Sequence, residues 1–300
     1  MKVLLVDIDS KIPNLALMKI SAYHKAQGDM VGFDIVDPDK VYASVVFKKN
    51  KHLVDGLRFY YPNADIIIGG SGYDLSITLP DKIEYIKPDY LLYPDCDYSI
   101  GFSTRGCIRK CHFCIVPEKE GTFRRAQHPE YWYNPEFDKI MFLDNNILAD
   151  KEWLFEITNW CIEKDLKVWF TQGLDIRLVD LEVAKQLLKI ETWKSIFFAW
   201  DHVLTEPLIK NGISTLMQAG FTKSNLRSNV QFYVYVDSDS EYESGVYRCR
   251  QLKSMSCNPF VMFNIDRKPT KRIRELQRWA NRKWAFWSCD ISEYTRQVRT

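Results

Sequence analysis

Short apolar runs alternate with amphipathic stretches along almost the whole chain, and this alternation constrains the fold more than any other feature. KVLLVD (2–7) reads as a buried strand and Leu15 to Gln27 as a helix stopped by Gly28. VGFDIV (31–36), VYASVVF (41–47), a helical stretch from Lys51 to Tyr60 and ADIIIGG (64–70) follow. Strands separated by helices predict a parallel sheet covered on both faces, hence an α/β fold. A length of 300 residues suits two domains. The segment Lys87 to Pro94, with Pro88 and Pro94, marks the expected boundary between residues 1–94 and 95–300.

After that boundary the alternation restarts on a longer period. Candidate strands are DYSIGF (97–102), KIMFLD (139–144), KVWF (167–170), SIFFAW (195–200), QFYVYV (231–236) and PFVMF (259–263). Helices are expected to open near Asp150, Asp180, Thr205 and Glu241, each at a capping or acidic residue, and a last one runs from about Lys271 to Lys283. Six such units predict a partial (β/α)6 barrel, in which chemistry gathers at the C-terminal ends of the strands. Those ends carry a cysteine cluster, then Asp144-Asn145-Asn146, the loop Thr171 to Arg177, Asp201-His202, Asp237-Ser238-Asp239, and Asn264. Polar groups after nearly every strand are the pattern of an active site.

Composition excludes several classes. The apolar fraction of 46% and the charged fraction of 27% are wrong for disorder. Forty-one basic against thirty-nine acidic residues leave a net +2, which names no polyanionic partner for the chain as a whole. No apolar run approaches the roughly 18 residues a membrane helix needs, and Asp7 interrupts any signal-peptide core. A cytoplasmic protein without a membrane partner is expected.

Three of the eight cysteines, Cys107, Cys111 and Cys114, fall in Gly101-Phe102-Ser103-Thr104-Arg105-Gly106-Cys107-Ile108-Arg109-Lys110-Cys111-His112-Phe113-Cys114. In a reducing compartment such clustering signals a metal site or catalysis rather than disulfides. Three thiolates suit an iron–sulfur cluster with one iron open, or zinc with His112 or Cys96 as fourth ligand. Arg105, Arg109 and Lys110 are expected to help keep the thiols deprotonated. Cys249, Cys257 and Cys289 are spaced loosely for an auxiliary cluster and, like Cys96 and Cys161, read as buried thiols.

The spacing Cys107-x3-Cys111-x2-Cys114, with Phe113 before the last cysteine and a strand just upstream, resembles the signature of radical S-adenosylmethionine (SAM) enzymes over residues 97–300. That resemblance implies an oxygen-sensitive [4Fe–4S] cluster on the three cysteines, with SAM on its open iron. One electron then cleaves SAM to methionine and a 5′-deoxyadenosyl radical, which abstracts a hydrogen atom from a substrate that the sequence does not name. A flavodoxin- or ferredoxin-like electron donor is implied as partner. By the same resemblance Phe113 lies near the adenine, and Asp144, Asn145 and Asn146 meet the SAM amino end, although the family's glycine-rich form of that motif is absent. Arg177 pairs with the carboxylate, Gln172 and Asp175 face SAM or substrate, and Asp201 accepts from the ribose. The plainer alternatives are that Asp144 and Asp201 cap helices and that Arg177 forms a surface ion pair.

The N-terminal unit, with Gly69-Gly70 ending a strand, resembles the Rossmann-like cobalamin-binding domain ahead of many radical SAM barrels. Its ligand crevice is expected near Asp7, Asp9 and Gly69–Ser71. The cobalt-ligating Asp-x-His-x-x-Gly motif is missing, since Asp9 and Ile12 stand in the His and Gly slots. A vestigial or repurposed domain is the preferred reading, and a cobalamin-dependent methyltransferase is the alternative. A third hypothesis is a non-enzymatic iron–sulfur or zinc binding module. Finally, Arg267 to Lys283 carries eight basic residues against Glu275, interleaved with Trp279, Trp284, Phe286 and Trp287. Over 267–287 this combination can grip nucleic acid; a solvated helix face with its tryptophans packed inward is the plainer expectation.

Overall fold

The run KVLLVD forms β1 (Lys2–Asp7), and Val3, Leu4 and Leu5 are buried as a covered strand requires. The computed structural model describes residues 1–264 and 266–294; residue 265 and residues 295–300, part of the expected second domain, lie outside the described residues. The protein is α/β with parallel sheets and divides into two compact units, Met1–Met141 and Phe142–Thr300.

In the first unit, α1 (Leu15–Ala26) opens where the Asn14 side chain accepts the Leu17 N–H at 3.2 Å, and it ends before Gly28 at φ 78°. The strands β2 (Met30–Gly32) and β3 (Lys40–Ser44), the short helix α2 (Leu57–Tyr60) and β4 (Asp65–Gly69) follow. The sheet order is β2-β1-β3-β4, all parallel. Period-two alternation on β3 divides its side chains between the two faces. Ala43 and Val45 pack with Val54 and Leu57 on one face. On the other, Tyr42 Oη stands 3.1 Å from His24 Nε2 of α1, and Asn14 Nδ2 donates to Ser44 Oγ at 2.8 Å.

Two segments differ from the sequence reading. Residues 51–60 are not one helix: a 3₁₀ segment, Lys48–Val54, precedes α2, and the helix-weakening Gly56 lies between them. β2 stops at Gly32 because it is an edge strand whose continuation carries Asp34, Pro38 and Asp37, the last at φ 48°. The unit continues through α3 (Asp81–Glu84), β5 (Ser99–Gly101), β6 (Thr104–Arg105), α4 (Val116–Lys119) and β7 (Arg124–Arg125) to β8 (Lys139–Phe142), within which the division falls.

The second unit contains α5 (Lys151–Glu163), β9 (Lys167–Phe170), α6 (Leu181–Lys189), β10 (Ile196–Ala199), α7 (Glu206–Ala219) and α8 (Lys223–Asn229). It is completed by β11 (Val230–Tyr235), α9 (Tyr242–Ser254), β12 (Asn258–Met262), α10 (Lys271–Ala280) and α11 (Lys283–Ser288). Asp150 and Asp180 cap α5 and α6 by accepting N–H groups of the first turn. β11 sits between β10 and β12, all parallel, with Val230, Phe232 and Val234 fully buried. Its other side chains meet an aromatic face, where the Phe197 and Tyr233 rings stack at 4.8 Å and Phe260 packs edge-on. The expected last helix is two: α10 ends at Asn281, whose side chain accepts the Val261 N–H at 2.7 Å. Among the described residues no helix is long and apolar enough to cross a membrane.

Gly245 shows how tightly α9 is seated. A Cβ there would stand 2.5 Å from Val236 Cγ2 and 3.2 Å from Leu276 Cδ2. Gly→Ala in an exposed helix stabilises by about 1 kcal/mol. Gly245→Ala is expected to reverse that sign and cost about 1–3 kcal/mol through overpacking, read as a lower urea midpoint with unchanged slope.

Candidate functional site

β6 and β7 pair antiparallel, Thr104 with Arg125 and Arg105 with Arg124, and so close the neck of the loop over residues 106–123. Gly106 makes the neck possible. Its φ is 76°, and a Cβ would stand 2.2 Å from the Thr122 carbonyl oxygen, so no other residue fits without displacing backbone. The loop presents all three clustered cysteines: Cys107 and Cys111 are half-buried and Cys114 is exposed. The Arg109 N–H donates to Cys107 Sγ at 3.3 Å and the Val116 N–H to Cys114 Sγ at 3.5 Å. The Cys114 N–H donates to the Cys111 carbonyl at 3.0 Å, and the His112 and Phe113 rings meet edge-on at 5.2 Å.

Arg105 does not serve the thiols as expected. Its guanidinium donates to Glu120 at 3.0 Å and to Glu84, and it stacks 3.9 Å from the Phe102 ring centroid. Burial alone would lower its pKa, but the Glu84 and Glu120 carboxylates more than offset that and hold it firmly charged. Glu84 also accepts from the buried Lys19 at 3.0 Å, and Lys119 Nζ donates to Ser71 Oγ at 2.6 Å. These contacts tie the base of the cysteine loop to the parallel sheet of the same unit.

At the C-terminal ends of that sheet the acids are already engaged. Asp9 accepts the Val46 and Phe47 N–H groups at 2.7 and 3.0 Å and Asn50 Nδ2 at 2.9 Å. Asp7 accepts from Ser10 N–H and from the Tyr93 hydroxyl at 2.6 Å. A Cβ on Gly70 would stand 2.3 Å from the Val45 carbonyl, and one on Gly72 2.5 Å from the Phe47 backbone. Close approach of chain to chain therefore accounts for both glycines.

In the second unit Asp144 and Asn146 are buried and Asn145 half-buried after β8. Helix capping does not explain Asp144 or Asp201, because the caps are Asp150 for α5 and, at the turn Val203–Thr205, His202. Asp201 accepts the Tyr235 N–H at 3.3 Å. Arg177 takes the plainer alternative: its Nε and Nη2 donate to the two carboxylate oxygens of buried Asp175 at 2.5 and 3.0 Å. Gln172 is exposed and donates to Thr171 Oγ1 at 3.2 Å.

Arg248 is the residue the sequence reading missed. It is 1% exposed and donates to the Trp200 carbonyl at 2.7 Å and the Tyr235 carbonyl at 2.9 Å, binding together the C-terminal ends of β10 and β11. Burial lowers its pKa, and Cys249, Asp201 and Glu241 partly compensate. Helical spacing could have found it, since Gly245, Arg248, Cys249 and Leu252 share one buried face.

Of the remaining cysteines, Cys96, Cys161, Cys249 and Cys257 are buried and burial raises their pKa values, whereas Cys289, expected to be buried, is half-buried. Cys96 donates to the Tyr98 carbonyl and is raised by burial, which suits it poorly as a fourth zinc ligand. Burial pushes Cys249 and Cys257 up to about 12, and Cys289 donates to the Ala285 carbonyl. Among the described residues no three His, Cys, Asp or Glu side chains are gathered closely enough to hold a metal ion. What fits an iron–sulfur cluster is the donor chemistry of the loop: three accessible thiols, with amide N–H groups directed at two of the sulfurs, as thiolate ligands accept them. No protein-family model matches the chain, nor does any curated protein.

Proposed function

We propose that the chain is a radical SAM enzyme whose cluster is held by Cys107, Cys111 and Cys114. The observation that carries this reading is the loop itself, with its x3 and x2 spacing, its neck closed at Gly106 and its amide-bonded sulfurs. When bound, the [4Fe–4S] cluster supplies one electron to SAM and so starts hydrogen-atom abstraction from substrate. In this reading β6 and β7 fix the loop ends, and Phe113 offers the adenine an aromatic edge. The strand-end groups Asp144, Asn145, Asn146, Gln172 and Asp201 are those assigned to SAM. Arg177, whose Nε and Nη2 are held by Asp175, is the donor assigned to the SAM carboxylate, and Asp175 orients its guanidinium. Arg248 acts through the backbone, holding the β10 and β11 ends from which Asp201 projects.

The test is anaerobic reconstitution with iron and sulfide, reduction with dithionite and addition of SAM, with 5′-deoxyadenosine measured by mass spectrometry. Release of 5′-deoxyadenosine is the expected result; in the cell a flavodoxin- or ferredoxin-like protein would replace dithionite. No release from protein carrying a full iron and sulfide complement would turn the assignment toward a binding module.

A further inference from the structure

The basic segment over 267–287 is only partly neutralised. Toward its start, Arg267 pairs with Asp237 at 2.6 Å and Arg272 with Glu243 at 2.8 Å. Toward its end, Arg282 and Lys283, joined by Arg227 of α8, have no carboxylate partner among the described residues. Arg227, Lys283, Trp284, Trp287 and Ser288 line an open cavity of about 450 Å³. Its parts are pre-set. Trp287 Nε1 donates to Asn258 Oδ1 at 2.8 Å, the Arg227 guanidinium lies 4.0 Å from the Trp287 ring centroid, and Lys283 Nζ donates to the Ser228 carbonyl at 2.8 Å. Trp284 is 61% exposed.

A volume in the range of small-ligand sites, unpaired cations and a solvent-facing indole are together the recognition elements of a phosphate joined to a planar base. We propose that this cavity binds one nucleotide unit of a single-stranded nucleic acid, with the base stacked on Trp284 and the phosphates held by Arg227 and Lys283. Ser228 precedes β11 and Asn258 opens β12, so the cavity lies at the N-terminal ends of these strands, the opposite end from Asp201 and Asp237. It therefore anchors a strand rather than presenting it to the strand-end residues, and it stands independently of the cluster assignment.

The experiment is fluorescence anisotropy of a labelled twelve-nucleotide uridine oligomer titrated with the full-length protein at several salt concentrations. Trp284→Ala, at an exposed position, is expected to weaken binding about tenfold or more, the loss typical of one stacked base. Arg227→Gln with Lys283→Gln should reduce the salt slope by about 1.4, for two phosphate contacts on a single strand. Lys271→Gln with Arg272→Gln, whose charges are paired with Glu275 and Glu243, should change affinity less than twofold. Trp284→Ala binding as tightly as the native chain would overturn the assignment. Equal losses in both double variants would do the same, as would displacement of the oligomer by a polyglutamate peptide at equal charge concentration, which would indicate an acidic protein partner.

Discussion

On the radical SAM reading, a Cys111→Ala protein reconstituted without oxygen is expected to bind less iron and to form 5′-deoxyadenosine at least about 100-fold more slowly than the native chain. Removing a hydrogen bond to a metal ligand typically costs 10–100-fold; removing the ligand itself should exceed that. Cys111 is the middle of the three, half-buried in a loop whose ends are pinned by β6 and β7. The control is Cys249→Ala. That thiol is fully buried and pushed up to about 12 by burial, so its loss should lower stability and leave iron content unchanged. Iron and sulfide analysis with low-temperature EPR separates the two variants. Equal iron retention in Cys111→Ala and native protein would sink the ligand assignment.

Arg248→Ala is expected to cost about 3–5 kcal/mol of stability. The change leaves two buried carbonyls, those of Trp200 and Tyr235, without their donor, at roughly 1–3 kcal/mol each, and it opens a cavity where a long side chain was packed. Arg248→Met separates the contributions. It keeps most of the volume and removes a desolvated charge, so it should cost less than the alanine change while still leaving both carbonyls unbonded. Lysine cannot fork to two carbonyls from one point charge and should fall between them. Urea denaturation monitored by tryptophan fluorescence provides the measurement. A loss under about 1 kcal/mol for Arg248→Ala would show that β10 and β11 hold their ends without the guanidinium.

Much of the strand pattern was legible because a parallel strand covered on both faces is written as a continuous apolar run. KVLLVD and KVWF coincide with β1 and β9 residue for residue. The helix starts at Asp150 and Asp180 were readable for a local reason, a side-chain oxygen three residues ahead of the N–H that it accepts. Helix α8 escaped because its stretch is short and polar and is held by a Thr222–Asn225 capping box rather than by an apolar stripe. At the site, the cysteine spacing announced itself, but the neck at Gly106 and the pairing of Arg105 with Glu84 depend on contacts across the chain that local pattern cannot encode. For Arg177 the sequence left an ion pair open without naming its partner, which is Asp175, only two positions away.

The salt-bridge network under the cysteine loop bears on how the chain can be dissected. Lys19, Ser71 and Glu84 precede residue 94, whereas Arg105, Lys119 and Glu120 follow it. A polypeptide beginning at residue 95 would keep all three clustered cysteines, yet Arg105 would retain Glu120 alone and Lys119 would lose its hydroxyl acceptor. The N-terminal sheet is thus not a detachable module beside the cysteine loop but part of its foundation. Independent expression of the two halves should yield an N-terminal sheet whose Glu84 keeps Lys19 but loses Arg105, and a loop lacking its footing.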